Sequence, residues 1–493
     1  MKGELNMVRK MMELARKWHE GQFRKAPEGE IPPPYIVHPE AVVKNLLEWG
    51  EPEDSEAAAI AWGHDLLEDT KVSDADILAA SNETVLSGIR QLTRPEETEK
   101  RQYLLNVARN GTRDILLVKI SDRIQNSRDF VKCSGALRAF RYLHDADCIF
   151  EAVRQYSSDP VLEKAVSAWN RLDRRLREPA RHDAIRGCLL GGAVGDTLDS
   201  ECGSITADTQ LTLFTAEGIL RAETRNNEKG ICDPVAVMRY AYLRWLKTQN
   251  GALRENNFPE ALDSGWLIQE KKLYADGSPE KELISALENS REGERVRNDS
   301  NGCGAVARMA PAGLFLEPRM AYDYGCRFAA LTHGHPAAVT SAGAFAMLIS
   351  ELLSGKPLED ALDQVMAHLE DQSDARETLA ALEKARTMKN ISKFEDCRSA
   401  EEVLAAGVFC ALKHPWSFTK GVLLAVYLGG SAGSVAGSII GVINGRSAIP
   451  AQWISSLRER RIVSRIADDL WKRFEHDPEG HVTEKWWNAY PGF

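Results

Sequence analysis

Apolar residues along this chain recur mostly at three- and four-residue intervals, as in AVVKNLLEWG, EAAAIAWGHDLLED, DILLVKISDRIQN and AAVTSAGAFAMLISELL. That period places them on one stripe of a helix and predicts helices at each segment. Alternating runs of Val, Ile and Thr are scarce, so the expected fold class is all-α. A polar, arginine-rich stretch, SAWNRLDRRLREPARHD, precedes an abrupt glycine-rich IRGCLLGGAVGD and marks an expected boundary. Two helical domains are expected, at 1–165 and 183–493, joined by a linker at 166–182.

Residues 421–443, GVLLAVYLGGSAGSVAGSIIGVI, carry no charge over a span-length stretch, and Gly429, Gly433, Gly437 and Gly441 repeat every fourth position. No second such stretch accompanies it. The expectation is a buried segment with close helix contacts, and no membrane partner.

Length and composition narrow the classes. The 493 residues exceed one ordinary domain, and 43% hydrophobic with 27% charged residues describes a packed globular chain. Seventy-two acidic against 62 basic residues give a net charge of −10 without a long basic block, which argues against nucleic acid as a partner. The nine cysteines include no C-x-x-C pair, and the N-terminus reads as an amphipathic helix rather than a secretory signal. A cytoplasmic location is expected.

The first half holds a constellation of metal-binding residue types: His38 in PYIVHPEAV, His64 and Asp65 in AWGHDLLEDT, and Asp122 in VKISDRIQN. Two imidazoles and two carboxylates suit one divalent ion, whether manganese, iron or zinc, with positions left for water and substrate. Glu68 and Asp69 follow His64 and Asp65 by four residues, so helical geometry places both acids on the face presenting the His-Asp pair, where they could orient or deprotonate a metal-bound water. Taken singly, an adjacent His-Asp pair is more often a cap or a surface arrangement; the combination carries the reading.

These motifs, with AxxxHxGQxRK at Ala15–Lys25, APEGEIPPPYIVHP, the Thr93 and Tyr103 region and VKISDRIQNSRD, resemble the HD-domain hydrolases over residues 5–155. The resemblance is closest to the alarmone hydrolase branch related to the RelA/SpoT enzymes and the small metazoan-type hydrolases. It implies that His38, His64, Asp65 and Asp122 hold one Mn2+, and that Glu68 and Asp69 position and activate the attacking water. It implies also that Arg24, Lys25, Asn126 and, more weakly, Tyr103 line a nucleotide pocket. The implied reaction is water attack on the 3′-pyrophosphate of ppGpp or ppApp. Another nucleotide phosphate, of the NADPH or nucleoside type, is the alternative substrate, and a chiefly binding or neutralising role is the alternative class.

The second half resembles the ADP-ribosylglycohydrolases through IRGCLLGGAVGD, SNGCGAVARMAPAGL at Ser300–Leu314, LTHGHPAAVTSAGA at Leu331–Ala344 and LGGSAGSVAGSIIGVINGRSAIPAQW at Leu428–Trp453. That family holds two magnesium ions between loop carboxylates. Where it has Thr-Asp-Asp-Thr, this chain has Thr206, Ala207, Asp208 and Thr209. Where it has Gly-Gly-Asp-x-Asp-Thr, this chain has Gly429, Gly430, Ser431, Ala432, Gly433 and Ser434. Three carboxylates are missing, so Mg2+ is not expected there. Thr206, Asp208 and Thr209 remain as a residual motif, and the domain is expected to bind a protein partner or an ADP-ribose-like ligand, or to regulate, rather than to hydrolyse ADP-ribosyl groups. His333, His335 and Cys303 are expected to be structural. Joined to an alarmone hydrolase, such a domain suits defence against a nucleotide-making toxin.

Overall fold

The computed structural model describes residues 2–156, 158–198, 203–249, 259–275, 277–291, 293–294, 296–389 and 397–492, with side chains from residue 7 and, in the Pro259–Asp263 helix, from residue 261. Every extended regular element among them is helical, the exceptions being isolated bridges such as Phe23–Pro34. The all-α expectation holds. The chain forms two compact units, Met1–Ala180 and Arg181–Phe493. The segment 166–182 lies within a helix that runs from Pro160 to Thr197.

In the first unit the Glu56–Gly63 helix is the hub. It packs on the Lys2–Trp18, Val37–Trp49, Glu83–Leu92 and Arg113–His144 helices, and Ala57 to Gly63 are all buried. Its small residues permit this crowding: a Cβ on Gly63 would strike Ile89 and Met11. Ser55 caps its first turn by accepting from the Ala58 N–H at 3.1 Å.

The GHDLLED segment departs from the continuous helix expected of it. One helix ends at Gly63 and a four-residue helix begins at Leu66, with Asp65 at φ −100°, ψ −3° between them. Neighbours on an unbroken helix point about 100° apart. The break lets His64 and Asp65 aim at one point instead.

In the second unit the Pro336–Leu353 helix is central, packing on the Ala310–Phe315, Pro318–Ala329, Leu358–Glu370, Ala400–Lys413 and Ala432–Asn444 helices. It is long and apolar enough to cross a bilayer, but 83% of it is buried inside the unit. The uncharged 421–443 stretch is not one helix. It splits into Phe418–Leu428 and Ala432–Asn444 at Gly429, which has φ 82°, and Gly430, at φ 57°.

Two glycine ladders then meet. Gly187, Gly191 and Gly195 of the Pro160–Thr197 helix face Gly441, Gly437 and Gly433, and a Cβ on any of the six would collide with the backbone of its opposite. This backbone-to-backbone approach brings Asp196, one residue past the ladder, alongside Ser431 and the start of the Ala432–Asn444 helix.

Candidate functional site

In the first unit, the Val37–Trp49 helix supplies His38, the break after Gly63 supplies His64 and Asp65, and the Arg113–His144 helix supplies Asp122. Their donor atoms converge. His38 Nε2 lies 3.3 Å from His64 Nε2, 3.3 Å from Asp122 Oδ1 and 3.5 Å from Asp65 Oδ2. His64 Nε2 lies 3.2 Å from Asp65 Oδ2 and 3.9 Å from Asp122 Oδ1. Atoms each about 2.1 Å from a shared cation stand roughly 3 to 4 Å apart, so His38, His64 and Asp65 can share one divalent ion as they stand, with Asp122 joined to the group through His38. His64 Nδ1 donates to the Ala61 carbonyl at 2.7 Å, which leaves the Nε2 lone pair facing the cluster.

The electrostatics match a site built for positive charge. Burial works against ionisation, yet His64 and His38 hold Asp65 below the usual carboxylate range, and Lys119, His38 and His64 do the same to Asp122. Burial likewise opposes a charge on His64, but Asp65 and Asp122 outweigh it and push its pKa up to about 9.

The remaining expected residues distribute around this core. Asn126 donates to Asp122 Oδ1 at 2.5 Å and accepts from Arg24 at 2.5 Å, and Arg24 also pairs with Asp129 at 3.1 Å. Asp69 is tied in by its Oδ2, 2.5 Å from the Tyr35 hydroxyl. Glu68 is exposed and accepts from the Arg94 N–H at 3.3 Å, facing the Thr93–Arg94 turn. Lys25 is exposed, with its carbonyl beside Cys133. Tyr103 is buried: its hydroxyl donates to the Leu92 carbonyl and its ring lies under the Lys119 ammonium, 5.3 Å away.

Two residues in this arrangement escaped sequence reasoning. Tyr35 sits between Asp65 Oδ2, at 2.8 Å, and Asp69, and its ring stacks on His19. Burial and both carboxylates hold its hydroxyl protonated, well above its ordinary pKa. Lys119 pairs with Asp122 Oδ2 at 3.2 Å. The available signals were a tyrosine three residues before His38 and a lysine one helical turn before Asp122.

The second unit has a cleft of a different character. Asp196 accepts from Thr206 Oγ1 at 2.6 Å, from the Thr206 N–H at 2.9 Å and from Thr209 Oγ1 at 2.6 Å. Ser431 donates to Asp208, and Cys303 Sγ lies 3.2 Å from Ser431 Oγ and 3.7 Å from Glu280. Burial, then the neighbouring Asp196 charge, pushes the Asp208 pKa up to about 7, and burial pushes the Cys303 thiol up to about 12. His335 caps the Pro336–Leu353 helix, and His333 is buried with Nε2 3.6 Å from Glu280.

The ADP-ribosylglycohydrolase family model matches residues 177–479, more than half of the sequence. The chain belongs to that family. An uncharacterised protein of Archaeoglobus fulgidus is 26% identical over 313 residues, 59% of this chain and 96% of its own length. The N-terminal region is similar instead to pyrophosphohydrolases of guanosine-3′,5′-bis(diphosphate). The Danio rerio enzyme MESH1 is 28% identical over 148 residues, 29% of this chain and 81% of its own length. A probable enzyme of the same name from Mycoplasma pneumoniae is 27% identical over 135 residues, 24% of this chain; the match spans 18% of that relative's length.

Against this ADP-ribosylglycohydrolase background, the second cleft does not fit paired magnesium ions. Both oxygens of Asp196 and Oδ2 of Asp208 are taken by internal hydroxyl and amide donors, and alanine, serine and glycine stand where the family has anions. Among the described residues, groups of three or more convergent metal donors occur at His38, His64 and Asp65, and at the partly exposed Asp477, Glu479 and His481, but not in this cleft.

Proposed function

We propose that this ADP-ribosylglycohydrolase-family chain is a metal-dependent 3′-pyrophosphohydrolase of hyperphosphorylated nucleotides of the ppGpp or ppApp class, with its chemistry in the first unit and Mn2+ as the ion. The observation that carries the reading is the grouping of His38, His64, Asp65 and Asp122, the two imidazoles and Asp65 within ligand range of one another and Asp122 against His38, with Asp69 tethered beside it.

A divalent ion held by those four residues would supply Lewis-acid charge for a phosphoryl oxygen and for the attacking water. Asp69 is placed to take the proton that water loses, and the Tyr35 hydroxyl orients its carboxylate. The Arg24 guanidinium, held by Asn126 and Asp129, presents its remaining N–H groups to the phosphates of the substrate. Glu68, on the outer side of the same short helix, faces the Thr93–Arg94 turn and would have to leave it to serve the water. Attack at the phosphorus of the 3′ ester breaks the bond to the ribose 3′ oxygen, which receives a proton, and pyrophosphate leaves.

The second unit serves binding or regulation in this reading, for an ADP-ribose-like ligand or a protein partner, since its carboxylates are closed by hydroxyls. The described cysteines form no disulfide with one another, which supports residence in the reducing cytoplasm. A hydrolase of hyperphosphorylated nucleotides joined to such a unit favours a role in clearing the product of a nucleotide-synthesising toxin. Cells challenged with such a toxin should survive with the wild-type chain and not with Asp65→Ala.

The direct test is manganese-dependent pyrophosphate release from ppGpp and ppApp, with ADP-ribosyl-arginine as a parallel substrate. Release that Asp65→Ala abolishes is the expected result. Turnover of ADP-ribosyl-arginine without pyrophosphate release would overturn the assignment and move the chemistry to the second unit.

A further inference from the structure

The second unit contains a pocket that its family cleft does not use. Its volume is about 550 Å³, within the range of small-ligand sites, and its lining includes Arg446, Arg460, Arg461, Arg465, Lys472 and Lys485. It lies at the far end of the helices that carry the cleft. Ser431 and Arg446 flank opposite ends of the Ala432–Asn444 helix, about 20 Å at 1.5 Å per residue. Asp196 lies ten residues along its helix from Arg186, which pairs with Asp468 in the pocket wall.

The three acidic side chains of the lining offset this charge only in part. Asp468 is already bound by Arg186 at 2.6 and 2.7 Å and by His182 at 2.8 Å, both from outside the pocket lining. Asp469 accepts from the Tyr490 hydroxyl at 2.6 Å and stands 3.8 Å from Arg465 and 3.9 Å from Lys472, while burial raises its pKa. Glu475 stands 3.9 Å from Lys485 and 4.0 Å from Lys472. Arg446, Arg460 and Arg461 have no carboxylate within ion-pair distance among the described residues. Arg465 is held in place, its guanidinium 3.8 Å from the centre of the Trp266 ring.

We infer that this pocket binds a diphosphate group. Six cationic groups against three carboxylates around a small cavity, in a chain of net charge −10, leave a local positive field, with the Arg446, Arg460 and Arg461 guanidinium groups clear of carboxylate partners among the described residues. Arginine predominates, which favours an anion with paired oxygens over a single point charge. Trp486 and Tyr490 lie beneath the pocket floor almost fully buried, so no open aromatic face is offered for a nucleobase to stack on. The diphosphate is what the pocket reads, whether as free pyrophosphate or as part of a nucleotide.

The test uses the full chain carrying Asp65→Ala, treated with a chelator so that the first unit holds no ion. Inorganic pyrophosphate, GDP and inorganic phosphate are titrated by calorimetry and by tryptophan fluorescence, which Trp266 and Trp486 should report. Pyrophosphate should bind saturably at one site, at least tenfold more tightly than phosphate. Adding Arg461→Gln and Arg465→Gln should weaken it tenfold or more, and Arg461→Gln alone, at an exposed and unpartnered position, should weaken it measurably without altering the circular dichroism spectrum. Equal binding of GDP and pyrophosphate assigns recognition to the diphosphate itself, whereas binding of only one of them identifies its source. Absence of saturable binding, equal affinity for phosphate, or binding indifferent to both arginine substitutions would overturn the inference.

Discussion

The Tyr35 hydroxyl lies 2.5 Å from Asp69 Oδ2, at the edge of the cluster of His38, His64 and Asp65 that Asp122 joins through His38. A phenol carries a single hydrogen, and this one also stands 2.8 Å from Asp65 Oδ2, so it can serve either carboxylate but not both at once. Tyr35 therefore couples a metal-ligand carboxylate to the proposed proton acceptor. Tyr35→Phe removes the tether and leaves the ring that stacks on His19. The expected outcome is a kcat lowered about tenfold to a hundredfold with KM little changed, within the range for a displaced general base. Pyrophosphate-release kinetics check this, and an unchanged kcat would show that Asp69 needs no tether.

Much of this site was legible in the sequence because its residues sit in ordered motifs, each on or beside a helix. The four convergent donors come from three segments whose local patterns name them. What the sequence left open is what folding decides. The GHDLLED stretch has helical periodicity throughout, yet the chain breaks at Asp65, and that break sets Glu68 against the Thr93–Arg94 turn rather than beside Asp69. Tyr35 reaches across from a loop whose course depends on the Phe23–Pro34 bridge and the hydrogen bond from the Tyr35 N–H to the Gln22 carbonyl, neither of which has a periodic signature. In the second half the fourfold glycine spacing announced close helix contact but not its partner, which is a matching ladder some 240 residues earlier in the chain.

That ladder gives a stability prediction. Gly437 faces the Gly191 carbonyl, and the atoms a methyl group would strike are backbone, which cannot turn aside as a flexible side chain can. Gly437→Ala should cost about 3 kcal/mol, the upper end for overpacked cores. A thermal melt should show the second unit unfolding several degrees lower, while pyrophosphate release by the first unit persists. A neutral substitution would mean that the two helices part at little cost.

His144 predicts a pH dependence away from the proposed chemistry. It ends the Arg113–His144 helix, with Nδ1 3.1 Å from Asp147 and Nε2 2.8 Å from Asp173. Burial opposes its charge, but the hydrogen bonds to those two carboxylates prevail and raise its pKa to about 9. A raised folded-state pKa stabilises fully below the unfolded value near 6.5, and that contribution is lost as pH climbs through 9. The shift corresponds to about 3 kcal/mol, and to about 2 kcal/mol after solvent screening of these partly exposed partners. Wild-type stability should fall between pH 6.5 and 9, and His144→Gln should be less stable at pH 6.5 with a flatter profile. Parallel profiles for the two chains would place the dependence elsewhere.

The second cleft predicts indifference to magnesium, although its family holds that ion. Binding through Asp196 would require it to release Thr206 and Thr209, and Asp208 would have to bind beside its contact with Ser431, while only these two carboxylates remain to offset the loss of the ion's hydration shell. Calorimetric titration of the Asp65→Ala chain with Mg2+ should therefore give no saturable heat at millimolar concentration. Ala207→Asp and Ser431→Asp restore two of the three missing acids, the third position being Gly433, where the glycine ladder leaves no room for a side chain, and binding that returns would show missing charge to be the main obstacle. If the doubly substituted chain still fails to bind, the obstacle is the absent third acid or the hydroxyl network that holds Asp196 in its closed arrangement. Saturable binding by the unrestored chain would instead show that these hydroxyls yield readily, and would return ADP-ribosyl hydrolysis to the second unit as a live chemistry.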